Sequence, residues 1–283
     1  MLAFAFDWAN LLVRWGHIIA GIGWIGTSFY FIALDLSLKK REKMRDGVIG
    51  TAWEVHGGGF YHVEKFVVAP KELPVDLVWF KWEAYLTWVT GFLLLILQFY
   101  LAAGAWMIDP SILVLEPWQA IGISITSLAI GWYVYNALCR SPIGKRNTLL
   151  AIIGFFWVLA AAYFYTHVFS ERTALIHVGA FIGTIMAANV FAIIIPNQKK
   201  VTAALLSGDA PDPKYGEVGK QRSVHNTYLT LPVLVLMVSG HYPMLSGHPQ
   251  AWLIVAFVIV GGACLRHVPV SYTHLTLPTI LLV

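Results

Sequence analysis

Long apolar runs with histidines set inside them constrain this chain more than any other feature. His17 lies in Leu11–Leu36, His167 ends Leu149–Phe169, and His177 sits near the start of Ala174–Ile195. His225 and His241 bracket Val224–Tyr242. Ionisable groups are costly in hydrocarbon, and those retained there usually serve ions, protons or a cofactor. Imidazole is also the commonest metal-binding side chain. The pattern predicts a multi-spanning membrane protein first and a redox protein second.

Charge content supports the first reading. Only 12% of the residues are charged, against roughly 25% in soluble domains. Cys139 and Cys264 have no Cys-x-x-Cys spacing, so they give neither a disulfide framework nor a zinc site. The net charge of +4 is carried by loops and implies no nucleic-acid partner. Leu11–Leu36 reads as a retained first helix, because no basic region or small-residue cleavage site accompanies it.

A spanning helix needs about 20 apolar residues. Seven segments qualify: Ala9–Leu36, Leu77–Ala103, Trp118–Leu138, Leu149–Phe169, Ala174–Ile195, Val224–Tyr242 and the short Ala251–Leu265. The expected fold is therefore all-α, a polytopic transmembrane bundle of seven spans, since an open sheet cannot satisfy its backbone in lipid. One small hairpin is expected in the first loop, where β-branched and aromatic residues flank Gly57–Gly59. The fifth loop, Pro196–Arg222, reads as a short surface helix followed by turns.

Lysine and arginine orient the bundle. The first loop holds Lys39, Lys40, Arg41, Lys43, Arg45, Lys65 and Lys71; the third holds Arg140, Lys145 and Arg146. The fifth holds Lys199, Lys200, Lys214, Lys220 and Arg222, whereas the second and sixth hold none and the fourth only Arg172. The odd loops are then cytoplasmic and the N-terminus outside.

This orientation sorts the histidines by depth. His167, His177 and His241 lie on the outer side, with His17 about 14 Å along the first helix. His248 falls in an outer loop. Gly16, Ala20, Gly23 and Thr27 form a small-residue stripe near His17, and His177 shares a face with Ala180, Thr184 and Ala188. Small residues let a flat macrocycle approach the backbone, so His17, His167, His177 and His241 are the candidates for haem b. His17 and His177 are preferred for the iron. The same stripes also suit plain helix packing.

A second group lies on the cytoplasmic side. Glu54, His56, His62, Glu64 and Lys65 are close in sequence, Lys81 and Glu83 open the second span on the same membrane face, and Asn189 and His225 lie at the inner ends of the fifth and sixth spans. Carboxylates, lysine and imidazole together can exchange protons with a bound heterocycle, which makes this the candidate catalytic set. A solvated loop with ordinary ion pairs is the plainer account of the same residues.

Several stretches carry a family resemblance. Arg14-Trp-Gly-His-Ile-Ile-Ala-Gly-Ile-Gly-Trp-Ile-Gly-Thr-Ser-Phe-Tyr30 resembles the first helix of the bacterial membrane-bound urate hydroxylases, the cytochrome c urate oxidases. The likeness continues through Trp53–Lys65, Phe80–Tyr85, His177–Phe191, Ile195-Pro-Asn-Gln198 and His225–Val233, and covers residues 1 to about 268. The Trp-x-His…Trp-x-Gly pattern of the first helix is less specific. It also resembles haem-binding membrane proteins of the protoporphyrinogen-oxidase and copper-resistance types.

The resemblance implies oxidation of urate to 5-hydroxyisourate in purine breakdown. It implies a bacterial inner-membrane location in the lipid bilayer and a c-type cytochrome as electron acceptor. The family's C-terminal haem c domain would carry Cys-x-x-Cys-His, which is missing from this sequence. Val270-Ser-Tyr-Thr-His-Leu-Thr-Leu-Pro-Thr279 looks like a translated sequencing adapter, so the natural membrane domain is expected over 1–268 and a non-native tail over 269–283. On residues alone, two other readings stay open. One is a haem-b oxidoreductase acting on a porphyrinogen or quinol; the other is a non-catalytic transporter or anchor, against which the lack of an internal repeat counts.

Overall fold

The structure, a computed structural model, describes residues 1–66, 74 and 76–271. Lys71 and most of the adapter-like tail, including His274, lie outside the described residues. The helices are α1 (Leu2–Ser37), α2 (Trp82–Gln98), α3 (Pro117–Arg140), α4 (Asn147–Thr166), α5 (Glu171–Asn189), α6 (Ile195–Leu206), α7 (Pro213–Val238) and α8 (Ala251–Ser271). Short helical turns follow α2 at Tyr100–Ala102 and Ala103–Trp106, and α7 at Ser239–His241 and Pro243–Ser246.

Every expected apolar segment falls on a helix, and the all-α class holds. Five helices are long and apolar enough to cross a membrane: Ala3–Ser37, Trp82–Trp106, Pro117–Arg140, Asn147–Thr166 and Glu171–Leu206. The shorter apolar stretch Ala251–His267 lies on α8. The expected sixth span, Val224–Tyr242, runs along the second half of α7 and on through the Ser239–His241 turn, and the first turns of α7 carry Lys214, Glu217, Lys220 and Arg222, which dilute its apolar character.

The hairpin forms where the glycines place it. β1 (Val48–His56) pairs antiparallel with β2 (Gly59–Phe66), Trp53 opposite His62 and His56 opposite Gly59. Gly57 and Gly58 have φ of 57° and 78°, the two left-handed positions that a tight two-residue hairpin turn requires.

One boundary differs from expectation. The fifth span was expected to stop at Ile195, before Pro196. Instead a single π turn, Val190–Ile194, joins α5 to α6 without a break. Proline lacks an N–H and crowds the carbonyl one turn back. A wider turn absorbs that crowding locally. The turn region of the fifth loop thereby shrinks to the stretch after Leu206, where Gly208 has φ 81°.

Packing centres on α5, the best buried of the apolar helices; α1 is the least buried. Phe181 of α5 lies over Gly131 of α3 so closely that a Cβ there would sit 2.2 Å from the ring. Gly262 of α8 meets the Pro232 ring of α7 in the same way, at 2.6 Å. The protein divides into a tight cluster of α3, α4, α5, α7 and α8 and a peripheral α1–α2 pair. A gap remains between the two.

Gly131→Ala should lower thermal stability in detergent, because overpacking a tight contact costs about 1–3 kcal/mol. Gly154→Ala, where an added Cβ has open space, should leave the melting temperature unchanged or slightly raised. Equal melting behaviour of the two variants would show that α3 and α5 are not in close contact.

Candidate functional site

The gap between the α1–α2 pair and the helix cluster is a cavity of about 430 Å³, walled by α1, α2, α5 and α7. Its lining is mostly apolar, with Trp24, Trp88, Phe92 and Phe99 among the larger side chains. Gly21 and Gly183 also line it, and a Cβ at either would meet nothing within 4 Å. Both glycines therefore leave unfilled space in the cavity wall.

His17 is placed there by α2. Its Nδ1–H donates to the Thr87 carbonyl at 3.0 Å, with the Thr90 hydroxyl at 3.1 Å. Gly91 makes room for the ring, since a Cβ at Gly91 would lie 3.0 Å from His17 Cε1. A neutral imidazole with its proton fixed on Nδ1 presents the Nε2 lone pair. This is how a metal-binding histidine is usually held by its outer partner. His241, in the turn after α7, lines the same cavity and has no side-chain hydrogen bond among the described residues.

The cavity end farther from the hairpin is cationic. Arg14 and Arg172 both line it and continue into an adjoining smaller cavity of about 250 Å³. Arg14 reaches the Asn10 amide at 3.5 Å, and Arg172 lies over the Trp106 ring at 5.2 Å. Neither has a carboxylate partner among the described residues.

The structure separates the other candidate histidines from this place. His177 is fully buried within the cluster and does not line the cavity. Its Nδ1–H donates to the Thr173 carbonyl at 3.0 Å, and its Nε2 accepts from Ser124 Oγ at 2.8 Å. Both ring nitrogens are thus used in packing the core. His167 is exposed at the end of α4, stacked on Tyr163 at 4.0 Å and bonded to the Tyr163 carbonyl at 2.7 Å. The preferred iron pair, His17 with His177, is not brought together in the cavity.

The acid–base candidates are also dispersed. Strand alternation puts Glu54, His56 and Lys65 on one hairpin face and His62 and Glu64 on the other. Glu54 accepts from Tyr30 at 2.5 Å, Lys65 donates to Asp35 at 2.6 Å, and Glu64 pairs with Arg45. His56 and His62 are exposed, the latter packed against Trp53. Lys81 lies over the Trp82 ring. The hairpin set is a solvated, ion-paired surface rather than a concave site.

Glu83 is different. It stands in the first turn of α2, against Gly23 of α1, and its Oε2 is buried without a hydrogen-bond partner. Thr87, one turn further along α2, holds His17 and lines the cavity. A half-buried carboxylate with one unpartnered oxygen and an open imidazole nitrogen thus share one helix seam.

His225 belongs to a second buried network. Its Nδ1 bonds the Tyr135 hydroxyl at 2.7 Å. The Asn189 amide donates to that hydroxyl at 3.2 Å and to Asn226 Oδ1 at 3.1 Å. Arg222, 1% exposed, donates to Asn136 Oδ1 at 2.9 Å and lies over the Tyr135 ring at 4.9 Å. Sequence reading placed Arg222 in a loop and passed over Tyr135, Asn136 and Asn226. The available signal was the spacing of Arg222 and Asn226, one turn apart in a stretch that continues as apolar helix. Asn226 also lines the cavity, so this network backs its wall.

The site is thus an apolar cleft with one open imidazole nitrogen and, among the described residues, a second imidazole without a side-chain hydrogen bond and two guanidinium groups without carboxylate partners at one end. It suits a flat, largely apolar ligand with acidic substituents. Among the described residues no three His, Cys, Asp or Glu side chains converge as they would on a bare metal ion. A macrocycle-held iron needs only axial ligands from the protein.

These features define an all-α bundle with five helices long and apolar enough to cross a membrane and an apolar internal cleft. The Urate oxidase N-terminal family matches residues 3–281, and the chain belongs to that family. The match extends over most of the adapter-like tail. No curated protein and no solved structure matches. Membership ties the chain to urate oxidation and to oxidoreductase chemistry.

Ser124→Ala should cost about 1–3 kcal/mol of stability, because the His177 Nε2 acceptor would be left buried and unpaired. Calorimetry in detergent reads this. No loss of stability would place His177 outside the packed core.

Proposed function

We propose that this protein is the membrane part of a urate-oxidising enzyme that delivers electrons through haem b to a c-type cytochrome. Family membership supports the substrate. The observation that carries the redox half is His17, fixed through Nδ1 by the Thr87 carbonyl with Nε2 open to an apolar cavity. The residues present fit a haem: Gly21 and Gly183 leave space at the wall, aromatic and aliphatic side chains line it, and Arg14 and Arg172 lie at one end.

The reaction converts urate and water into 5-hydroxyisourate, releasing two electrons and two protons. Haem bound in the cavity supplies a one-electron relay for the electrons. The chain must dispose of the protons; Glu83 is the residue assigned to accept one of them, and the other leaves to water. Its carboxylate is held at the hairpin end of α2, against α1, with Oε2 shielded from water and unpaired, available as a base. The exposed hairpin groups, already paired with Tyr30, Asp35 and Arg45, set the surface charge at this end.

The helices lie in the bacterial inner membrane with the hairpin end cytoplasmic. A reporter fused at Gly208 should read as cytoplasmic and one at Gly247 as external; the opposite pattern would reverse the orientation. For the chemistry, anaerobic urate should reduce the bound haem, seen as a shift of its visible bands. With an artificial acceptor, 5-hydroxyisourate should form. Glu83→Gln should lower turnover per haem by on the order of 10²-fold with haem content unchanged, whereas Lys199→Gln should do little. Haem that stays oxidised with excess urate removes the proposed substrate.

A further inference from the structure

We infer that the cavity binds its porphyrin between His17 and His241, with Arg14 and Arg172 on the two acidic substituents. This rests on the haem reading above and assigns the residues that hold the group. Among the described residues, His17 and His241 are the histidines that line the cavity, and they come from opposite sides of the gap. The first extends from the peripheral pair, the second from the end of α7 in the helix cluster.

Their bonding states agree with this role. His17 has Nε2 free, and His241 has no side-chain hydrogen bond among the described residues. The excluded histidines are committed elsewhere: His177 to Thr173 and Ser124, His167 to Tyr163, and His225 to Tyr135. An iron between the two walls would tie the peripheral pair to the cluster across the gap that protein contacts leave open.

The arginines sit beside each ligand. Arg14 precedes His17 by one helical turn. Arg172 packs at Gly240, with its Nε 3.8 Å from where a Cβ would be, next in sequence to His241. Each wall therefore offers one imidazole and one guanidinium at the same end. Two guanidinium groups without carboxylate partners match the two carboxylates of a porphyrin edge, and such pairs form strong charge-assisted hydrogen bonds.

The test uses the purified full chain reconstituted with haemin in detergent. Wild type should give a six-coordinate, low-spin ferric spectrum by absorption and electron paramagnetic resonance. His17→Ala and His241→Ala should lose that signal or become high-spin, whereas His167→Ala and His177→Gln should retain it. His241→Met should stay low-spin with a more positive midpoint potential, and covers the case in which His241→Ala does not fold.

Arg14→Gln with Arg172→Gln should keep the low-spin spectrum but weaken haemin binding by on the order of tenfold or more. Haemin dimethyl ester, which lacks the free acids, should bind the double variant and wild type equally. If wild type takes up no haemin, the cofactor reading and this assignment both fall. If wild type is low-spin but His241→Ala and His241→Met share its spectrum and potential, the ligand pair is wrong and the cofactor reading survives. If the ester discriminates as haemin does, the arginines do not hold the acids.

Discussion

The cost of leaving a polar group unpaired in an apolar interior governs this structure. In hydrocarbon no water stands by to satisfy a stray donor or acceptor. Interior polar groups must find partners in the protein, and most do. His177 uses both nitrogens, Ser124 links it to the Tyr100 hydroxyl at 2.7 Å, and Asn189 ties Tyr135 to Asn226. Against that background the exceptions are informative. Glu83 Oε2 is buried without a partner and His17 has one nitrogen free, while Arg14 and Arg172, which lack counter-charges among the described residues, are exposed. Buried donors on Trp132, Trp157, Arg222 and Arg266 also lack partners among the described residues and lie away from the cavity, whereas Glu83 and His17 share the α1–α2 seam beside it.

Much of the fold was legible because run length and turn chemistry are local properties. The apolar segments became helices, and the Gly57–Gly58 turn closed the expected hairpin. Misreadings arose where a distant partner decides the outcome. Pro196 looked like a helix stop, but the π turn at Val190–Ile194 carries the chain past it. Arg222 looked like a loop cation because lysines surround it. It is buried because Asn136 and Asn189 on other helices offer amide oxygens to it. The site was legible in part. His17 and His241 were among the candidates, but their separation from His177 depends on Ser124 lying 53 residues away. The scatter of the hairpin set was readable in principle, since alternation along a strand sends Glu54 and His62 to opposite faces in this register.

The division into a helix cluster and a peripheral pair has a functional consequence. The cluster is held by close contacts such as Phe181 on Gly131 and Pro232 on Gly262, which leave no room for a ligand. The pair meets the cluster through fewer contacts, among them Trp88 Nε1–H donating to Thr184 at 3.2 Å and Tyr85 against Phe191. A ligand-sized gap is tolerable only where packing is already loose, because empty volume inside a dense core forfeits dispersion contacts. The same looseness would let a group entering between α1 and α7 improve stability as it binds, since anything that binds only the folded state stabilises it.

The Arg222 network adds an electrostatic element behind the cavity wall. A guanidinium taken out of water is costly even when its hydrogen bonds are made. Here the compensation is partial: two neutral amides and the face of Tyr135 surround the charge, and its Nε has no partner. Asn226 connects that charge to the cavity, accepting from Asn189 while lining the wall. With Arg14 and Arg172 at the other end, a ligand in the cavity lies between two regions of positive charge. Fixed positive charge near a redox group favours its reduced form, as does a site that stabilises an anion. A haem held there, as proposed above, would thus be a stronger electron acceptor than the same group in an uncharged apolar cleft.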